Sequence, residues 1–320
     1  MNIAFFADRF ELGGVETHII SFANQLIRRG HRVLLTTNAA YPELLAQIDA
    51  TNGCFRYVQW SNDPVNDVKD FAPDIVHAHP FSAIMRGYQV AHQLQKPFII
   101  TVHGSYDYAL DRSPLGYQVS ALVSRVIAVD LDVAALLLDA AAHPEKVCVI
   151  RNGIDVNAFS PLPPDSERKV GLGLHPEWFT ICTTSRLGDG KELTLLQLLR
   201  CTPAVVKQLG GLNILIVGDG PWTTRIQEES RAAVNSIPNL NIQVVGRKLD
   251  VRPYLAASYL LLACGRSALE AMACQRPVLA AYCAQYGGPI GKSNYRDLLF
   301  SLKGCKPLSD EDLVSTLVNL

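Results

Sequence analysis

The sequence predicts an α/β fold of two domains, each with a parallel sheet flanked by helices. At 320 residues the chain is longer than a single core usually grows. Short β-branched apolar runs alternate with amphipathic helical stretches, which is typical of parallel sheets covered by helices. A proline-rich polar segment at residues 160–169 separates two sets of such runs. We therefore predict domains at residues 1–160 and 161–320.

The predicted strands are the short apolar runs. They are residues 2–7, 33–37, 75–78, 98–102, 126–129 and 147–150 in the first half, and 179–183, 213–217, 242–245, 260–263 and 278–281 in the second. Open α/β sheets bind ligands at the carboxyl ends of their strands, and two such domains facing each other create a cleft. Candidate chemistry should therefore lie in the loops that leave these strands.

Composition excludes several classes of protein. Hydrophobic residues make up 48% and charged residues 18%, which suits a folded chain. A net charge of −1 gives no global field to attract nucleic acid. Residues 1–160 hold 12 Lys+Arg against 16 Asp+Glu (−4), and the rest hold 17 against 14 (+3). An anionic ligand is therefore expected mainly on the second half.

Targeting and cysteine patterns indicate a cytoplasmic protein. The chain does not start with the basic segment and following apolar run of a leader peptide, and no apolar run reaches the ~18 residues of a membrane span. Eight cysteines include no CxxC pair, and several lie in apolar runs. We therefore expect reduced thiols and no zinc.

A glycine pair and a pair of cations follow predicted strands. Gly13 and Gly14, in the loop from Leu12, precede a helix expected to begin near Glu16. Glycines let the backbone approach a ligand and aim helix amides at negative charge, although a tight turn explains the pair equally well. Arg186 and Lys191 are separated by glycines that can turn both toward one anion, such as a diphosphate. A solvated surface loop is equally compatible with that spacing.

The segment 265–278 is predicted to form a glycine turn, a short helix and a strand. We predict Ser267 as the helix N-cap, which would leave free amides near Arg266 to face a phosphate or sugar hydroxyls. Glu270 lies on the first turns of that helix. Its carboxylate suits the two hydroxyls of a ribose, or it simply complements the helix dipole.

Histidines follow two strands of the first half. His103 comes directly after the strand at 98–102. His77 and His79 would point to the same face of an extended segment, an arrangement that also suits a pair of metal ligands. Because no third ligand has suitable spacing, we predict no metal there.

Asp130 and Asp132 form a DxD sequence, which in some other proteins holds a divalent cation. The residues after them have helical character. We therefore predict that Asp130 is the N-cap of that helix and Asp132 a first-turn acid.

Taken together, these loops resemble the retaining family 4 glycosyltransferases of GT-B fold, in which two Rossmann-like domains face each other across a cleft. The ordered matches, over most of the chain, are residues 13–16, 74–79, 101–103, 126–129, 152–155 with 159, 185–187 with 191, 218–221, 246, and 269–274 with 277–278. The resemblance implies an N-terminal acceptor domain, a C-terminal donor domain, and metal-independent transfer with retention and no cofactor.

The resemblance also implies residue roles. Arg186 and Lys191 would neutralise the diphosphate, Glu270 would hold the ribose, and His103 would approach the transferred sugar. The further donor-binding residues are expected to be Gly13, Gly14, Gly218, Gly246, Arg247, Gly265, Arg266 and Ser267. In such enzymes the leaving phosphate is thought to help deprotonate the acceptor, which agrees with the lack of a glycosidase-like pair of carboxylates.

The function expected from the resemblance is transfer of a hexose-type sugar from a nucleotide-diphosphate donor, a UDP-sugar first of all. The acceptor would be a glycan, a lipid-linked molecule or a small molecule, as in polysaccharide biosynthesis, and a lipid-linked acceptor is compatible with peripheral contact at the inner membrane. Two alternatives stay open: an inactive GT-B nucleotide-sugar-binding protein, and a GT-B nucleotide-sugar epimerase, which needs acid/base carboxylates. A nicotinamide dehydrogenase is disfavoured because no GxGxxG follows the first strand.

The sequence departs from the family pattern at two places. The family usually carries a second glutamate eight positions before the one matching Glu270, and here that position is Leu262. We expect the sugar contact to be absent or supplied near Gly265 and Ser267, with weak discrimination among donor sugars. A loop at 284–289 follows, and the end at Leu320 predicts a truncated or unusually short C-terminal region.

Overall fold

The computed structural model describes residues 1–11, 13–80, 82–104, 110–163, 166–298, 302 and 305–320. The chain forms two compact units, Met1–Gly153 and Ile154–Leu320. The division falls earlier in the chain than residue 160, and the proline-rich segment belongs to the second unit. Pro164 and Asp165 of that segment lie outside the described residues.

In the described part of the first unit, seven strands form one parallel sheet in the order β3-β2-β1-β4-β5-β6-β7. The strands are β1 (Asn2–Phe10), β2 (Arg32–Ala40), β3 (Phe55–Gln59), β4 (Ile75–Ala78), β5 (Phe98–Val102), β6 (Val123–Ala128) and β7 (Val147–Val149). The strand order reverses between β1 and β4. Open α/β sheets bind ligands at such a switch point, outside the carboxyl ends of the strands.

Helices connect these strands. They are α1 (Gly14–Arg28), α2 (Pro42–Leu45), α3 (Pro64–Val68), α4 (Ser82–Leu94), α5 (Pro114–Leu122) and α6 (Leu131–Ala140). Strand β1 is buried on both faces, because Ala4 and Phe6 pack into one hydrophobic cluster and Ile3 and Phe5 into another. A strand covered on both sides needs a continuous apolar run, and that run is why β1 could be predicted from the sequence.

The second unit has a similar plan. Its described strands are β8 (Phe179–Thr184), β9 (Leu212–Val217), β10 (Leu240–Gly246), β11 (Leu260–Ala263), β12 (Val278–Tyr282) and β13 (Gln285–Pro289), in the order β10-β9-β8-β11-β12-β13. Its helices are α7 (Ser166–Gly171), α8 (Glu192–Leu209), α9 (Thr223–Ser236), α10 (Arg252–Ala257), α11 (Gly265–Ala273), α12 (Tyr295–Leu298) and α13 (Asp310–Asn319). The switch point of this sheet lies between β8 and β11.

Every predicted strand overlaps an observed one, but the prediction of a loop at 284–289 was wrong. Residues Gln285–Pro289 form β13, which pairs antiparallel with β12. Cys283 and Ala284 both have positive φ, 50° and 59°, as a two-residue hairpin turn of this kind requires. Among the described residues, no helix is long and apolar enough to cross a membrane.

Candidate functional site

The switch point of the first unit brings the predicted glycines and histidines to one edge of the sheet. Gly13, with extended backbone, is the N-cap of α1, which begins at Gly14, two residues before the expected Glu16. The space where a Cβ of Gly14 would stand is open, so a bound group can approach the backbone here. Leu12 of the predicted loop lies outside the described residues.

Four histidines gather beside these glycines, and we call His18, His77, His79 and His103 the histidine cluster. His79 Nδ1 lies 2.9 Å from His103 Nε2, and His77 Nε2 lies 2.7 Å from the hydroxyl of Thr101. The rings of His77 and His79 stack at 4.9 Å, as expected for side chains on one face. The ring of His18 stands edge-on to His103 at 4.9 Å.

His18 was missed in the sequence. Its only indication in the sequence is its position four residues after Gly14, one turn into α1. That spacing puts His18 on the same helical face as the exposed start of the helix. A histidine on an amphipathic helix gives no periodic signal of its own. Its ring contacts with His79 and His103, which are distant in sequence, make it part of the cluster.

Three members of the histidine cluster, His77, His79 and His103, are uncharged at neutral pH. Burial lowers the pKa of His77 to about 3 and holds the pKa values of His79 and His103 well below their usual range, with the neighbouring histidines acting in the same direction. Each of these neutral rings has one donor nitrogen and one acceptor nitrogen. These three rings are therefore suited to neutral polar groups such as hydroxyls.

The carboxylates of the DxD sequence act as helix-capping residues, as predicted. Asp130 accepts a hydrogen bond of 2.7 Å from the backbone amide of Val133 and is the N-cap of α6, and Asp132 lies in the first turn. Within the described ranges, no group of three or more His, Cys, Asp or Glu side chains is arranged to hold a metal ion.

In the second unit, Arg186 and Lys191 both lie on the loop between β8 and α8. Arg186 forms a 3.5 Å ion pair with Asp189, and both side chains are well exposed. Lys191 is the N-cap residue of α8, and its Nζ lies 5.7 Å from the centre of the Tyr282 ring. The chain turns between the two cations at Asp189 and Gly190, both with positive φ.

Gly218 holds the neighbouring strand ends together. It has a φ of +145°, and a Cβ there would lie 1.9 Å from the carbonyl oxygen of Ser185. Its amide donates to the carbonyl oxygen of Gly246, which itself has a φ of +71°. Arg247 follows, with Nε 3.8 Å from the carboxylate of Asp219. These predicted donor-binding residues thus lie together at the ends of β8, β9 and β10.

Helix α11 carries a buried ion pair. Arg266 Nε lies 2.9 Å from Glu270 Oε1, and these side chains are only 12% and 11% exposed. Burial raises the pKa of Glu270, and the Arg266 charge acts against that shift. The helix begins at Gly265, whose φ is +62° and whose Cβ position is open. Glu270 is therefore fixed in place at the carboxyl edge of the sheet.

The predicted N-cap at Ser267 was wrong. Cys264 is the N-cap of α11, and the Ser267 hydroxyl instead donates a 2.7 Å hydrogen bond to the carbonyl oxygen of Thr184 at the end of β8. The helix begins three residues earlier than a serine cap would allow, because Gly265 can adopt the positive φ needed just after the strand.

The structure places Leu262 in the hydrophobic core. Leu262 lies inside β11, is 2% exposed, and packs with Ile181 and Leu279. This position therefore offers no polar contact to a donor sugar, and weak discrimination among donor sugars stays a prediction.

Comparisons with known proteins agree with this architecture. The family model described as Glycosyltransferase Family 4 matches residues 12–158, and the one described as Glycosyl transferases group 1 matches residues 179–295. The structure of Anabaena Alr3699/HepE in complex with UDP-glucose superposes with a TM-score of 0.70 at 20% identity, covering 100% of this chain and 89% of that one. This likeness shows the GT-B fold.

Two curated relatives are similar over part of their length. A human phosphatidylinositol N-acetylglucosaminyltransferase chain is 26% identical, with 88% of this chain and 60% of that protein covered. The D-inositol 3-phosphate glycosyltransferase of Jonesia denitrificans is 28% identical, with 65% and 55% covered. This chain thus spans less than two thirds of the length of these relatives.

The two α/β units, with their polar strand-end loops, define a protein of the GT-B class. The chain belongs to the family 4 glycosyltransferases.

Proposed function

We propose that this protein transfers a hexose-type sugar, with retention of anomeric configuration and without a metal ion or cofactor, from a UDP-sugar to a hydroxyl-bearing acceptor. In this proposal the second unit binds the donor and the first unit binds the acceptor. The observation that carries it is the concentration of charged groups at the strand ends of the second unit: the Arg186 and Lys191 loop and the buried pair of Arg266 and Glu270.

The diphosphate would be held by Arg186 and Lys191. The ion pair of Arg186 with Asp189 does not oppose this, because exposed pairs of this kind contribute only about 0–1 kcal/mol and exchange readily for a phosphate. The positive φ values of Asp189 and Gly190 bend the loop between the two cations. The developing negative charge of a departing diphosphate is the charge that such donors stabilise.

The ribose would be held by Glu270. A buried carboxylate tends to take up a proton, but Arg266 opposes that tendency and keeps an acceptor at this edge of the sheet. Fixed orientation favours recognition of two neighbouring hydroxyls, because little side-chain freedom is lost on binding.

The reaction breaks the bond between the anomeric carbon and the diphosphate oxygen and forms a bond from that carbon to the acceptor oxygen. The acceptor proton would pass to the leaving phosphate, so no protein nucleophile takes part. His103 is proposed to contact the transferred sugar as a neutral hydrogen-bonding group, since burial disfavours its cationic form.

The first experiment is a thermal-shift screen against UDP-, GDP- and ADP-sugars, because a ligand at 100 times its dissociation constant stabilises by about 2.7 kcal/mol. Arg186→Ala should weaken UDP binding, whereas Arg225→Ala should not. Arg225 is a matched control, since it also forms an exposed ion pair in the second unit, with Glu229 on α9.

Product analysis then separates the activities. Incubation of the best donor with inositol, inositol phosphate, phosphatidylinositol or glycan acceptors should release the nucleoside diphosphate in an acceptor-dependent way. The inositol compounds are chosen because the names of two relatives contain them. Conversion of the sugar with donor alone would identify an epimerase instead, and binding without turnover across the panel would identify a non-catalytic binding protein.

A further inference from the structure

The contact between His79 and His103 places two neutral imidazoles at hydrogen-bond distance. Strands β4 and β5 are parallel neighbours, so the residues that follow them lie side by side. His79 Nδ1 is 2.9 Å from His103 Nε2. One of these two nitrogens must donate and the other must accept, because two bare lone pairs or two protons would repel each other.

The environment of His79 decides which nitrogen donates. This ring is only 1% exposed and contacts the rings of His77 and Phe5. Its other nitrogen, Nε2, is buried and has no hydrogen-bond partner within the described part of the chain. A proton on Nε2 would therefore be a buried N–H without an acceptor, which native structures avoid more strictly than an unsatisfied lone pair.

We infer that His79 carries its proton on Nδ1, donates it to His103 Nε2, and thereby fixes His103 in the tautomer that is protonated on Nδ1. His79 is then a positioning residue, and His103 offers an N–H donor from a ring that is only partly buried. The edge-on ring of His18 limits rotation of the His103 ring. The partner of this donor would be an oxygen acceptor, such as a sugar hydroxyl or ring oxygen, and that last step rests on the proposed function.

The tautomer can be measured in the ligand-free protein, independently of any activity. Protein labelled with ¹⁵N-histidine is studied near pH 7.5 by long-range ¹H–¹⁵N correlation, which distinguishes protonated from unprotonated ring nitrogens. The His103 signals are assigned by their loss in His103→Ala. We expect a protonated Nδ1 and an unprotonated Nε2 in the wild-type protein. A protonated Nε2 on His103 would overturn the inference without any variant.

Two substitutions at His79 test the cause. His79→Leu removes the donor and should let both tautomers of His103 appear. His79→Asn offers an amide N–H near the position of Nδ1 and should preserve the wild-type pattern. His77→Leu is the matched control. It removes a buried histidine of the same segment whose hydrogen-bond partner is Thr101 rather than His103, and it should leave the tautomer of His103 unchanged. An unaltered tautomer in folded His79→Leu would refute the role of His79.

Kinetics separates this inference from the proposed function. Loss of the group that sets a histidine tautomer should reduce kcat by about tenfold in His79→Leu, with little change in donor KM and with recovery in His79→Asn. If the wild-type protein shows the expected tautomer but no acceptor-dependent turnover, the proposed function fails while the positioning role stands. If turnover is normal in His79→Leu despite mixed tautomers, the catalytic part of the inference is wrong.

Discussion

The buried pair of Arg266 and Glu270 gives the most specific prediction, because its two members respond differently to loss of the partner. Both side chains are nearly covered, and their nitrogen and oxygen are 2.9 Å apart on consecutive turns of α11. Glu270→Ala leaves a guanidinium that cannot lose its proton at any ordinary pH. We expect Glu270→Ala to lower the free energy of unfolding by about 3–5 kcal/mol, as for other broken buried pairs.

Arg266→Ala should cost less, because the remaining carboxylate can take up a proton. From the ordinary Glu pKa of 4.5, protonation at pH 7 costs about 1.36 kcal/mol for each of 2.5 pH units, or about 3.4 kcal/mol. The electrostatic cost of Arg266→Ala at pH 7 therefore cannot exceed about 3.4 kcal/mol. This electrostatic cost should be smaller at lower pH.

The sign of this pH effect follows from the direction of the pKa shift. Burial without Arg266 raises the pKa of Glu270 above its unfolded value, so between 4.5 and the raised value the folded state binds more protons than the unfolded state. Stability of Arg266→Ala relative to the wild-type protein should therefore increase as pH falls from 7 to 5, by up to about 2.7 kcal/mol. Glu270→Ala should show no such recovery.

Urea unfolding of the wild-type protein, both single variants and the double variant at pH 5 and pH 7 measures these differences. The control is Arg225→Ala with Glu229→Ala, an i,i+4 pair on α9 that is about half exposed and should contribute under about 1 kcal/mol. Equal destabilisation by Arg266→Ala at both pH values, or a larger cost for Arg266→Ala than for Glu270→Ala at pH 7, would refute the reasoning.

Three further predictions concern the rest of the chain. Arg186→Ala and Lys191→Ala should each reduce kcat by about two orders of magnitude, while the free energy of unfolding changes by under about 1 kcal/mol. Near-normal turnover of both variants in steady-state kinetics would exclude the loop from catalysis. Turnover should persist in excess EDTA, and activity that vanishes and returns with manganese or magnesium would contradict this. His77 has a folded pKa of about 3 and an unfolded value near 6.5, so the unfolded state binds more protons between these values and the contribution of this ring to stability should fall by about 2 kcal/mol from pH 7 to pH 5. The same pH dependence of unfolding in the wild-type protein and in His77→Leu would show that this ring is not buried neutral.

The sequence revealed the buried strands and the edge strands β7 and β10, but it missed the edge strands β3 and β13. A strand such as β1 or β9 is covered on both faces, so it appears as a continuous apolar run. The edge strand β3 includes Arg56 and exposed Gln59, and β13 contains two glycines and a proline, so neither has that signature. Their places in the sheets are fixed by pairing with a neighbour, which no local pattern records.

The positions of the candidate site residues were predictable from the sequence, but the side chains that they pair with were less so. Strand-end filtering found His103, Arg186 and Glu270, because parallel sheets bring such loops to one edge. It did not predict that Arg266 would pair with Glu270, although their i,i+4 spacing allows it. Serine favours the N-cap position, which is why the sequence predicts a cap at Ser267, but a tertiary contact with Thr184 prevailed.

The difference in charge between the two candidate sites supports the assignment of donor to the second unit. Around the switch point of the first unit, burial disfavours the cationic forms of His77, His79 and His103, and such groups recognise hydroxyls by hydrogen bonding without attracting an anion. The strand-end loops of the second unit carry Arg186, Lys191 and Arg247. A nucleotide-diphosphate carries its charge on the phosphates, and fixed cations lower the energy of that charge most as it grows during bond cleavage. Exchange of the two roles would require the diphosphate to lie against neutral, desolvated rings, where its charge would be costly to bury.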